Sequence, residues 1–135
     1  MLIDLVPLII VSPFGYRIRK KKQEFHPGID CRVVDKNYRP LPILAPEKLV
    51  VTGIEFNAEW GHYILASPLE TDYQQLRFWH ITPSVKEGQE LVEGEQIGMP
   101  ESGWVSLHLH LETYKESLLD PIFYLQERNI EYEFI

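Results

Sequence analysis

A chain of 135 residues, 44% hydrophobic and 12% aromatic, can bury a core of its own, and one domain over residues 1–135 is expected. Its net charge of −7 excludes a general nucleic-acid surface, which needs a basic excess to meet phosphates. The single cysteine, Cys31, excludes an intrachain disulfide framework, and no apolar run is long enough to span a membrane.

Residues 1–11 are apolar but hold Asp4 and Pro7 and lack a basic leader, so they read as a strand and not as an export signal. Residues 17–22 carry five cations in six positions; such runs are mostly solvated loops, and the sharper reading is a contact for an anionic polymer. In His26-Pro-Gly-Ile-Asp30, proline and glycine argue against a helix interior. On an extended chain His26 and Asp30 share one face, and Cys31 turns the other way into the core.

Three short apolar runs follow at 48–56, 61–66 and 76–81, each closed by Asn or Pro, and read as strands of an antiparallel sheet. Residues 85–98 repeat an apolar residue and a glycine (Gly88, Gly94, Gly98), which suits successive tight turns at positive φ. In residues 106–113, Leu107, Leu109 and Leu111 take one face and His108, His110 and Glu112 the other, the alternation of a half-buried strand. Only 118–128 has room for a helix, with Asp120 as N-cap and Pro121 in the first turn, and residues 130–134 alternate as a closing strand.

A lone histidine is more often a satisfied polar residue than a ligand. Here four of the five fall in an ordered set with one aspartate: His26 and Asp30, then His80, then His108 and His110. Imidazoles and a carboxylate on shared strand faces suit zinc. Spacing alone leaves open which of His108 and His110 binds it.

The order Phe14-Gly-x-Arg17, His26-x-x-x-Asp30, Phe78-Trp-His80-Ile, the glycine turns at 88, 94 and 98, His108-Leu-His110-Leu-Glu112 and Asp120-Pro121 resembles the lysostaphin-type, or LytM-like, zinc metallopeptidases. The resemblance runs from about residue 12 to residue 125. It implies a mainly β, antiparallel scaffold of the duplicated-hybrid-motif type with an open groove and one short C-terminal helix. It implies one zinc ion per chain held by His26, Asp30 and His110, with a fourth tetrahedral position left for water. His108 then serves as general base, and His80 hydrogen-bonds the oxyanion or the water. The implied activity is endopeptidase cleavage of bacterial cell-wall peptidoglycan, in stem peptides or cross-bridges, with bond preference set by the loops at 34–42, 66–75 and 99–105.

Several residues depart from the family pattern. Ser106 replaces a glycine before His108, which narrows the groove or alters substrate choice. His62 stands where asparagine is more usual and is expected as a structural or rim residue, and Glu112 is a candidate to orient one of the paired histidines. Trp60 is either a core anchor or a platform for sugar rings. Trp79 is expected to point away from His80 into the core, and Trp104 is a groove-wall candidate. Three other readings compete: a non-catalytic wall-binding or particle-assembly protein of the same fold, a metal oxygenase, and a purely structural zinc site. The oxygenase pattern runs in the reverse order, and a structural site needs a fourth protein ligand that is not evident. With no export signal read, a bacteriophage origin is the expected reconciliation, with phage-particle proteins as further partners.

Overall fold

The computed structural model describes residues 1–103 and 106–135. In chain order the elements are β1 (Leu8–Ser12), β2 (Gly15–Arg19), β3 (Lys22–His26), β4 (Ile29–Cys31), β5 (Ile43–Leu44), β6 (Leu49–Asn57), β7 (Gly61–Pro68), β8 (Gln75–Trp79), β9 (Ile81–Pro83), β10 (Glu90–Leu91), β11 (Gln96–Pro100), β12 (Leu109–Tyr114), β13 (Leu118–Leu119), α1 (Pro121–Glu127) and β14 (Tyr132–Phe134). They form a large sheet in the order β10-β6-β7-β8-β12-β4-β1-β14, with β13 also on β12, a small sheet β5-β11-β9, and the hairpin β2-β3. Pairing is antiparallel throughout except that β14 lies parallel to β1.

Alternation explains which faces are buried. On β12, Leu109 and Leu111 are fully buried beside Phe78 of β8 and Ile29 and Cys31 of β4. Ile43, Ile81 and Ile97 of the small sheet and Tyr124 and Leu125 of α1 join them in the same core. Each large apolar side chain so enclosed contributes roughly 1.5–3 kcal/mol. Cys31 is free and buried, as the strand reading places it. Helix α1 begins where its sequence signals it: the Asp120 carboxylate accepts from the Ile122 amide at 3.0 Å, with Pro121 at the first position.

Several details differ from the sequence reading, the first being that the apolar start forms a strand only from Leu8. Gly88 and Gly94 do adopt positive φ, at 87° and 88°, but Gly98 lies inside β11. There a Cβ would meet the Thr82 carbonyl at 2.3 Å, so close strand approach, and not turn geometry, requires that glycine. The run 76–81 is also not one strand. His80 breaks it with φ of 68°, so that β8 stays in the large sheet and β9 enters the small one.

Candidate functional site

Strand register builds the site. β4 lies between β1 and β12, and Asp30 stands directly opposite His110. His26 and Asp30 do not share one strand: β3 ends at His26 and β4 starts at Ile29, with Pro27 and Gly28 bending the chain between them. The bend passes so close to β12 that a Cβ on Gly28 would lie 2.3 Å from the Leu111 carbonyl and 2.8 Å from His110 Nε2. Glycine is therefore the residue that lets the first motif reach the second.

Three donor atoms converge as a result. His26 Nε2 lies 3.1 Å from His110 Nδ1, His110 Nδ1 lies 3.0 Å from Asp30 Oδ1, and Asp30 Oδ1 lies 3.3 Å from His26 Nε2. A tetrahedral zinc with bonds of about 2.0–2.1 Å has ligand–ligand edges of about 3.3–3.4 Å, so the triangle is close to the size that such an ion needs.

Hydrogen bonds on the far side of each ring set the tautomers. His26 Nδ1–H donates to the Pro13 carbonyl at 2.8 Å, which leaves Nε2 with a lone pair. His110 Nε2–H donates to the Glu112 carboxylate at 2.9 Å, which leaves Nδ1 facing Asp30. Three lone-pair atoms at these distances repel one another unless a proton or a metal cation sits among them. With a proton there, burial of His110 is outweighed by its hydrogen bonds to Asp30 and Glu112, and its pKa lies above the ordinary 6.5. Burial likewise works against the Asp30 carboxylate, but His110 and His26, with the charge of His108, hold its pKa far below the usual range. The donor set thus fits a divalent cation such as zinc.

His80 and His108 stand beside this trio. Their ring centroids are 4.6 Å apart, and His108 Nε2 is 3.6 Å from Asp30 Oδ1. Each anchors Nδ1–H on a backbone carbonyl, His80 on Trp60 at 2.9 Å and His108 on Ser106 at 2.7 Å, so each presents a bare Nε2. Burial, helped by the neighbouring imidazoles and opposed by the bond to Trp60, pushes the His80 pKa down to about 4. All five residues line an open groove of about 660 Å³, together with Trp60, Trp79, Arg17 and Phe25.

The remaining sequence expectations divide. Glu112 orients His110, as read. His62 takes the structural role: its Nδ1 and amide both bond the buried Glu101 carboxylate, Glu101 N–H donates to the His80 carbonyl at 2.9 Å, and His80 N–H donates to the His62 carbonyl at 3.0 Å. This loop of bonds holds His80 in its left-handed conformation, and nothing in the local sequence around Glu101 marks it for that part. Trp79 corrects the sequence reading. It lines the groove with His80 and stacks on Tyr63 at 3.9 Å, because the positive φ of His80 breaks the alternation that would have sent the two to opposite faces. Arg17, which the sequence placed in a cationic run read as a solvated loop or a contact for an anionic polymer, reaches Asp30 Oδ2 at 3.7 Å and Ser12 Oγ at 2.5 Å. Trp104 lies outside the described residues.

No protein-family model and no curated protein matches the chain, but solved structures do. A zinc containing peptidase from Vibrio cholerae superposes with a TM-score of 0.70 at 22% identity, over 88% of this chain and 37% of that one, so the present chain spans little more than a third of that protein. The catalytic domain of the antimicrobial peptidase lysostaphin from Staphylococcus simulans gives 0.61 at 19%, over 87% and 89% of the two chains. A SpoIIIAH–SpoIIQ complex gives 0.70 at 15%, over 91% and 96%. The chain has the lysostaphin-type fold, a mainly antiparallel β scaffold with one short helix, as the motifs implied. No helix among the described residues is long and apolar enough to cross a membrane.

Proposed function

We propose that this chain is a zinc-dependent endopeptidase of one domain that hydrolyses peptide bonds in bacterial cell-wall peptidoglycan. The observation that carries the reading is the convergence of His26, Asp30 and His110, with tautomers preset for a cation, beside two further imidazoles, His80 and His108, that line the same open groove. The peptidases that share the fold support it.

In this reading His26 Nε2, Asp30 Oδ1 and His110 Nδ1 hold the zinc, and the Pro13 carbonyl and Glu112 fix the two rings. When bound, zinc acts as a Lewis acid that makes a nucleophile of water near neutral pH. His108 Nε2 accepts a proton from the attacking water and returns it to the leaving amine. His80, neutral because its pKa lies near 4 and with Nδ1–H committed to Trp60, accepts a hydrogen bond from the same water in preference to donating to an oxyanion. Arg17 balances the second oxygen of Asp30.

The test is to incubate the zinc-loaded protein with purified peptidoglycan and analyse released material by mass spectrometry. New peptide termini are the expected result. Zinc without fragments supports instead a non-cleaving protein that binds wall or assembles with others, the reading that the fold of the SpoIIIAH–SpoIIQ complex favours.

Zinc binding is also expected to depend on pH with a defined sign. The raised pKa of His110 stabilises the metal-free fold fully below pH 6.5, and that contribution fades as pH rises through the group's own higher value. Zinc displaces this proton. Its affinity therefore falls about tenfold, or about 1.4 kcal/mol, per pH unit below that value. Melting curves with and without zinc should show a larger zinc-induced rise in Tm at pH 8 than at pH 5.5; an equal rise at both would show that no proton is exchanged.

A further inference from the structure

The hairpin β2-β3 carries five of the chain's 13 cationic residues, in a protein whose net charge is −7. It leads away from the candidate metal centre, since His26 ends β3. Cross-strand pairs run outward as Gly15 with His26, Arg17 with Glu24, and Arg19 with Lys22. Alternation puts these side chains on one face, and Arg17, Arg19, Glu24 and His26 line the groove.

The outer part of this ladder is electrostatically uncompensated. Arg17 is paired with Asp30 and Glu24, and Arg19 shares Glu24 at 3.8 Å. Lys20, Lys21 and Lys22 have no ion-pair partner among the described residues and are exposed. Arg19 and Lys22 face each other directly across the strands, an arrangement of like charges that opposes pairing. The two-residue turn is built from Lys20 and Lys21 at φ of 53° and 63°, a pair of left-handed positions that Asn-Gly would occupy with less strain. Three features that each weaken an isolated hairpin thus gather positive charge on the hairpin whose Arg17 and Arg19 line the groove. A bound anion relieves the repulsion.

Resting on the endopeptidase reading, we propose that the β2-β3 hairpin is a cationic arm that recognises the acidic part of an extended peptide lying in the groove. The four-residue step from His26 to Lys22 spans about 13 Å of strand, so the recognised carboxylates sit three to five residues from the cleaved bond. The opposite face of the hairpin presents Tyr16 and Ile18 to solvent, which would suit a membrane surface. The acidic peptide is favoured because the groove-facing side of the arm is continuous with the reaction site.

Binding by the zinc-loaded full chain is measured with fluorescein-labelled hexaglutamate and hexaglutamine by anisotropy. Hexaglutamate should bind at least tenfold more tightly at low salt, with the difference shrinking as salt rises. Lys20→Asn/Lys21→Gly keeps the turn type while removing two charges, and with Arg19→Gln/Lys22→Gln should bring the two probes to equal affinity, the Tm remaining at or above that of the parent. Equal affinity for the parent protein, or binding unaffected by the substitutions, overturns the proposal. So does a parent that binds vesicles containing 30% phosphatidylglycerol but not hexaglutamate, which assigns the arm to membranes. Hexaglutamate binding through the arm without peptidoglycan cleavage upholds the arm and locates the failure in the endopeptidase reading.

Discussion

Alanine at position 108 is expected to lower peptidoglycan cleavage by about 10²–10⁴-fold and to leave one zinc per chain in the purified protein. His108 Nε2 stands 3.6 Å from Asp30 Oδ1, at the edge of the donor triangle and outside its 3.0–3.3 Å contacts. Its ring is half-buried, bonds the Ser106 carbonyl through Nδ1 and is not part of the buried apolar core, so its removal leaves that core intact. Fragment release and zinc content measured on the same sample separate the roles. Loss of zinc together with activity would make His108 a ligand and would contradict the assignment of His110.

Gly28→Ala should strike both fold and site. The added methyl would lie 2.3 Å from a backbone carbonyl, that of Leu111, which moves only if β12 moves. Overpacking of this kind costs about 1–3 kcal/mol or more, a fall in Tm on the order of 5–15 °C for a chain of this size. His110 Cε1 and Nε2 lie 2.9 and 2.8 Å from the same methyl, so the ring must also shift and strain its bond to Glu112. Zinc affinity should fall at least tenfold. Gly88→Ala is the comparison: Gly88 has a φ of 87° and open space around its Cβ position, so that substitution should cost stability alone and leave zinc affinity unchanged. Equal effects on zinc from both would show that the close approach of β4 to β12 does not govern the site.

Much of this was legible in the sequence because it rests on period and composition. The alternation of Leu107, Leu109 and Leu111 with His108, His110 and Glu112 gave a strand, although β12 starts only at Leu109 and is buried on both faces and not half-buried, and Asp120-Pro121 gave the start of α1. The pairing of Asp30 with His110 followed from two motifs that each carry donors, although the sequence could not supply the register that joins them. What it hid was backbone geometry. The positive φ of His80 has no side-chain signature, and with it came the misplacement of Trp79. The carbonyls of Pro13, Trp60 and Ser106, which set three tautomers, belong to residue types that carry no such information. Glu101 closes the loop of bonds behind His80 from 39 residues beyond His62, a separation over which local pattern is silent.

X-ray absorption at the zinc edge, on protein shown by elemental analysis to hold one equivalent of metal, tests the central claim most directly. Two imidazole nitrogens and one carboxylate oxygen at about 2.0–2.1 Å with one further light scatterer are predicted, and His110→Ala should abolish the bound equivalent. A shell with a sulfur neighbour, or with four protein donors, or zinc retained undiminished in His110→Ala, would contradict it.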